Sequence, residues 1–287
     1  MSLASYRDLA LDEEQNKYSL YAITGDDREE ERKRLNVLHK ALTTLFDYKL
    51  LYAPVKLESG DRVLDCGTGT GIWATEAASI LPGSVLIDAI DINPEFFPPI
   101  GRSPSVMFHT ASTFELPPEW SNRFSLVNQR MMCAAFSQPQ WEIALREMER
   151  VLQPGGWIQL MELQMYHDFS GTHPKYHKFL QILRTLWENR GFFRNPIPGL
   201  PEMLEHAGYK NITTITRKIP MGAWGGDLGR YTSIWIGRAW FWMKEAALLE
   251  SAISSEEFDR LHKEAMEELD EIPGAAHPMS IVYGQKT

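Results

Sequence analysis

The sequence predicts an α/β fold with a mostly parallel, seven-stranded sheet, helices on both faces and a helical cap. Three observations carry this. First, Val63-Leu64-Asp65 is a short apolar run ending in an acid, and Cys66-Gly67-Thr68-Gly69-Thr70-Gly71 follows with glycine at every second place. Ile72 to Ala78 then has helical composition. Strand, glycine loop and helix in that order open a nucleotide-binding sheet, and the glycines let backbone approach a ligand where a β-carbon would clash. Second, the next apolar run ends at Asp91, twenty residues after Gly71. An acid there takes the hydroxyl pair of a ribose. Third, strand-like and helix-like segments alternate along the chain, as in a parallel sheet covered on both faces.

The elements follow in order. Asp26 reads as an N-cap with Glu29 as its capping-box partner. The helix it starts runs from Asp27 to Leu45, with Leu35, Leu38, Leu42 and Leu45 as one apolar stripe. The charge run Arg28 to Arg34 reads as a solvated face with pairs inside the helix. Tyr48 to Val55 reads as a short second helix or turn. The strands are Arg62–Asp65, Val85–Asp91, Val106–Thr110, Phe124–Asn128, Trp157–Leu163, Lys210–Arg217 and Ser280–Tyr283. Trp73–Ile80 and Trp141–Leu152 are helices between them, the second stopped by Pro154-Gly155-Gly156. Pro94, Pro98 and Pro99 forbid a long helix after the second strand. Beyond the fifth strand, His173–Arg190 and Leu200–Ala207 read as helices, and so do segments near 229–250 and 255–271. Residues 1–55 are thus expected to form an N-terminal segment over the active site. Residues 56–287 are expected to form the main domain, with insertions at about 166–198 and 222–273. A connection as long as the second is usually functional.

Composition narrows the function. The chain has 287 residues, 44% of them hydrophobic, and a net charge of −9. One large domain or a domain with a small cap fits this length. The acidic balance argues against broad nucleic-acid binding. No apolar run approaches the roughly 18 residues of a membrane span, and Met1 to Asp8 has no signal-peptide core. Cys66 and Cys133 lie in apolar contexts. A reducing compartment is expected, the cytoplasm first and the nucleus also open. No Cys/His cluster has zinc-like spacing, so no metal is expected.

The glycine spacing separates two ligands. A dinucleotide fingerprint needs glycine at the sixth place counted from Gly67, where Ile72 stands. The form G-x-G-x-G behind Asp65 resembles motif I of the class I S-adenosylmethionine-dependent methyltransferases. Further blocks narrow the likeness. Tyr21, Asp26 to Leu35, Leu38-His39 and Leu50 to Pro54 resemble the N-terminal block of the fungal LaeA-like methyltransferases. Leu64 to Trp73 is similar to that family's motif I, Leu152 to Ile158 with Glu162-Leu163-Gln164 to its fifth-strand segment, and Ile219 to Trp224 with Asp227 to its cap segment. The likeness spans roughly residues 18–245. It implies S-adenosylmethionine as donor and S-adenosylhomocysteine as product. The family's acid for adenine aligns with Ser112, whose hydroxyl bonds adenine more weakly than a carboxylate.

Ligands of such sheets bind outside the carboxyl ends of the strands. The cofactor set is therefore Asp65, Gly67, Thr68, Gly69, Asp91, Ile92, Ala111, Ser112, Thr113, Arg130 and Met131, with Tyr21 from the N-terminal block. Arg130 is assigned to the cofactor carboxylate or to an anion on the acceptor. Met132, Tyr166, Tyr18 and Trp235 are the acceptor-side candidates. His167 and His39 are the candidate bases, each weighed against a solvated or packing histidine. Methyl transfer from a sulfonium needs mainly alignment, and a base only for a protonated acceptor. Trp235, Trp240, Phe241, Trp242 and Met243 give the cap an apolar face that suits an acceptor or a second subunit. Three functions remain open. One is an enzyme methylating a small, largely apolar acceptor such as a secondary metabolite. Another is a LaeA-like regulator that binds the cofactor and works through a protein partner. The third is a methyltransferase fold turned to other chemistry.

Overall fold

A computed structural model describes residues 28–99, 103–164, 167–192, 196–251 and 253–287. Its elements run α1 (Arg28–Leu45), β1 (Arg62–Cys66), α2 (Ile72–Ile80), β2 (Leu86–Asp91), β3 (Val106–Thr110), β4 (Phe124–Arg130), α3 (Gln138–Val151) and β5 (Leu152–Leu163). They continue α4 (Pro174–Asn189), α5 (Pro196–His206), β6 (Tyr209–Pro220), α6 (Gly226–Trp242), α7 (Lys244–Glu250), α8 (Ser255–Glu271) and β7 (Ala276–Lys286).

The seven strands form one sheet in the order β3-β2-β1-β4-β5-β7-β6. β1 to β5 pair in parallel, while β7 runs antiparallel to both β5 and β6. The order reverses between β1 and β4, where a sheet of this kind opens a crevice for ligands. Alternate residues of the buried strands feed opposite faces. Val63, Ile87, Ala89 and Leu126 pack with Trp73, Ala74 and Ala77 of α2. Leu64, Val127, Ile158 and Leu160 pack with Trp141, Ala144 and Met148 of α3 and Leu200 and Leu204 of α5. A third cluster joins α1, α4, α6 and α8 to the β5–β7–β6 end, through Leu38, Leu42, Tyr176, Trp240, Leu269 and Ile281.

Several expectations change. Of the short helix or turn expected from Tyr48, the structure has the turn: Asp47 and Tyr48 take φ of 56° and 58°, and Tyr52 N and Ala53 N donate to Gln159 Oε1. The segment expected as one helix near 229–250 is two, broken after Trp242. The charge run of α1 is not wholly solvated. Glu31 and Arg34 are buried, with Nε and NH2 of the arginine donating to the two carboxylate oxygens at 2.6 and 2.7 Å. Arg32 meanwhile donates to the carbonyls of Phe96 and Glu95, tying α1 to the chain after β2. Asp26 and Asp27, and with Asp26 the expected capping box, lie outside the described residues.

Candidate active site

The turn after β1 is the floor of the site. Gly67, Gly69 and Gly71 have φ of 63°, 55° and 70°, a region that L side chains rarely enter. The last of them is also a packing requirement, since a β-carbon on Gly71 would lie 2.4 Å from Phe108 Cε1. Asp65, buried below the turn, accepts from Thr68 Oγ1 at 2.6 Å and from Asn128 Nδ2 at 2.7 Å. Gln159 Nε2 donates to Asn128 Oδ1 in turn, so a polar ladder crosses β1, β4 and β5. Burial holds the Asp65 carboxyl above its ordinary range.

Asp91 ends β2 beside this turn. Its Oδ2 accepts Gly69 N at 2.8 Å and its Oδ1 accepts Asn93 N at 2.9 Å. Even with Ile92 N–H also contributing, the two oxygens keep acceptor capacity for a ligand. Burial raises this carboxyl too, although the residue keeps partial exposure, as at the bottom of a cleft. Ile92 is 74% exposed. After β3, Ala111 N bonds Asp91 O, and Ser112 Oγ accepts from Phe114 N at 3.2 Å. Thr113 is buried and hydrogen-bonds the Cys66 thiol.

β4 delivers Arg130, Met131 and Met132. Burial lowers the Arg130 pKa, and the residue keeps only partial exposure. Its NH2 lies 3.2 Å from His39 Nδ1, and among the described residues it forms no ion pair. His39 Nε2 is 2.8 Å from Glu76 Oε2 on α2. Met131 has φ 60°, an unusual conformation for a residue with a side chain and one that clusters at functional sites. Glu162 on β5 fixes the turn beyond it, accepting Met132 N at 2.8 Å and Cys133 N at 2.9 Å. Met132 thereby reaches the glycine turn, its Sδ 3.0 Å from where a β-carbon of Gly67 would be. α1 also packs on the turn: Leu35 Cδ1 stands 3.5 Å from the corresponding point on Gly69, and Thr70 Oγ1 donates to Asn36 Oδ1 at 2.9 Å.

The structure therefore brings Asp65, Gly67, Thr68, Gly69, Asp91 and Met132 together at the glycine turn, and sets Arg130 at the end of β4 beside His39. His167 is exposed, with its ring edge-on to Phe169 and its carbonyl accepting from Arg184 of α4. Trp235 is buried in the cap cluster, and its Nε1 has no hydrogen-bond partner among the described residues. Tyr18, Tyr21 and Tyr166 lie outside the described residues. Sequence reasoning passed over Asn36, Glu76, Asn128 and Gln159. The last two had a signal, being amides inside runs that are otherwise strand-like and apolar. Glu162 entered only as part of a resembling block.

The fold and this crevice define a class I methyltransferase. The residues fit S-adenosylmethionine: an acid with acceptor capacity left at the end of β2, and a deep cation that has no carboxylate partner among the described residues at the end of β4. A methyltransferase-domain family matches residues 63–156. The N-methyltransferase tcpN of Claviceps purpurea (strain 20.1) is 30% identical over 273 residues, 89% of this chain and 94% of tcpN. The N-methyltransferase sirN of Leptosphaeria maculans is 33% identical, over 73% of each chain. The secondary metabolism regulator laeA of Monascus pilosus is 27% identical, over 72% of this chain and 56% of laeA. In fold, the chain is similar to the YcgJ protein of Bacillus subtilis, with a TM-score of 0.53 at 18% identity over 86% of this chain and 98% of that one. The chain belongs to the LaeA-like family of fungal class I methyltransferases, and it is an S-adenosylmethionine-dependent methyltransferase.

Proposed function

We propose that this chain methylates a nitrogen of a small, largely apolar secondary metabolite. The observation that carries the reading is the apolar cover on the glycine turn, where Met132 packs against Gly67 and Leu35 against Gly69. The choice of nitrogen rests on the relatives named as N-methyltransferases. S-adenosylmethionine supplies, when bound, a methyl group on a sulfonium whose leaving group is a neutral thioether. Asp91 takes the ribose hydroxyls, and Arg130 takes the amino-acid carboxylate. The backbone of Gly67 to Gly69 lies against the donor, Asp65 braces the turn through Thr68, and Ile92, Ala111, Ser112 and Thr113 border the adenine side. Met131, Met132 and Trp235 border the acceptor. With both partners held in line, orientation supplies much of the rate.

A neutral amine nitrogen needs no base before attack and loses its proton to water afterwards, whereas an amide nitrogen must give up its proton to attack. His39 is not free to act as one: its Nδ1 lone pair faces an Arg130 donor and its Nε2 faces Glu76. His167, exposed beyond β5, is the candidate for an acceptor that arrives protonated.

The test uses S-adenosylmethionine with a deuterated methyl group and a panel of amine, amide and hydroxyl metabolites. Mass spectrometry and NMR then locate the label. Label on nitrogen is expected. Label on oxygen or carbon overturns the choice of atom. A stable complex with a partner protein and no S-adenosylhomocysteine formed overturns the enzyme reading in favour of a regulator.

A further inference from the structure

Arg130, His39 and Glu76 come from three elements, β4, α1 and α2, and their hydrogen bonds form one chain. Its direction is fixed by chemistry. A guanidinium only donates, so His39 Nδ1, 3.2 Å from Arg130 NH2, must present its lone pair. A neutral imidazole then carries its proton on Nε2 and donates it to Glu76 Oε2 at 2.8 Å. Burial, then the charge of Arg130, pushes the His39 pKa down to about 4, so the ring is neutral at neutral pH. The His39 side chain is buried, whereas that of Glu76 is half-exposed at 50%.

The arrangement orients the cation without neutralising it. A carboxylate against Arg130 would compete with an anionic ligand, whereas an imidazole lone pair anchors one guanidinium nitrogen and brings no negative charge to offset it. Asp65 and Glu76, the nearest acids felt by Arg130, are both engaged elsewhere, Asp65 by Thr68 and Asn128 and Glu76 by His39. A desolvated cation left this way favours an anion in the crevice.

We propose that His39 and Glu76 are positioning residues that aim Arg130 at the carboxylate of the methyl donor. This rests on the reading of Arg130 given above. It makes α1 part of the cofactor site without touching the reacting atoms.

The test compares two ligands by calorimetry on the full chain: S-adenosylhomocysteine, which carries the carboxylate, and 5′-methylthioadenosine, which lacks it. Arg130→Met should weaken the first at least tenfold and the second less than twofold. His39→Leu and Glu76→Ala should each weaken the first about three- to tenfold, again with the second unchanged. His39→Gln, which keeps an acceptor for Arg130, should recover most of the loss. In the Arg130→Met background, His39→Leu should have no further effect. If Arg130→Met behaves as expected but the His39 and Glu76 variants bind both ligands like the parent, the positioning role is overturned and the Arg130 reading stands. If Arg130→Met leaves the ratio of the two affinities unchanged, that reading falls and the proposal with it. Equal weakening of both ligands by His39→Leu or Glu76→Ala would show general damage to the site and also overturn the proposal. Glu76→Ala keeps the test decisive if His39→Leu does not fold, because Glu76 is half-exposed.

Discussion

The Asp91 carboxylate accepts Gly69 N on one oxygen and Asn93 N on the other, so it braces the glycine turn; in the proposed function it also takes the ribose hydroxyls. Charged hydrogen bonds of this kind are each worth about 1.5–3 kcal/mol. Asp91→Ala should therefore weaken S-adenosylhomocysteine at least tenfold in calorimetry, with a folded chain by circular dichroism. An unchanged dissociation constant would show that the acid does not hold the ligand. Gly71 gives a residue-scale prediction about stability. Alanine there meets Phe108 at 2.4 Å and must hold φ near 70°. Strain and overpacking together should cost about 1–3 kcal/mol. Pairing the change with Phe108→Leu should return the packing part only. A urea midpoint equal to the parent's for Gly71→Ala would contradict this.

Glu162 couples two elements, β5 and the turn after β4, by taking Met132 N and Cys133 N on its carboxylate. Burial raises it to about 7 from an ordinary 4.5, outweighing those hydrogen bonds. The folded chain thus binds an extra proton between these values. The associated stability is complete below 4.5 and is lost as pH rises through 7. Glu162→Gln cannot titrate, so the parent's stability relative to it should decline between pH 5 and 7, by about 1.4 kcal/mol per pH unit at most. Urea unfolding of both proteins across that range checks the sign, and a pH-independent difference would contradict it. Within the cap, two tryptophans of α6 should separate. Trp240 is buried and stacked on Tyr176 of α4 at 5.5 Å, so Trp240→Ala should cost about 3–5 kcal/mol. The indole N–H of Trp235 has no partner among the described residues, so Trp235→Phe should fold at near-parent stability. It should shift the acceptor KM and leave S-adenosylhomocysteine affinity alone. A large stability loss with an unchanged KM would place Trp235 in the core only.

At the scale of the whole molecule, the parts read correctly from sequence are those encoded locally. Apolar runs, the glycine spacing and Asp91 twenty residues on give β1, α2 and β2 almost to the residue. Boundaries set by tertiary packing were less legible. The break between α6 and α7 has no glycine or proline at Met243 to announce it. The burial of Glu31 and Arg34 is invisible in a run of charges that looks solvated. The Arg130–His39–Glu76 chain is harder still, because its contacts span 91 and 37 residues and depend on where α1 crosses the sheet. A single sequence holds no signal for such pairings. The most direct measurement is a crystal structure with S-adenosylhomocysteine bound. The account predicts both ribose hydroxyls on Asp91, the carboxylate on Arg130 with His39 still at its other edge, and the sulfur facing an apolar space beside Met131 and Met132. A ligand carboxylate held away from Arg130, or a ribose remote from Asp91, would contradict it.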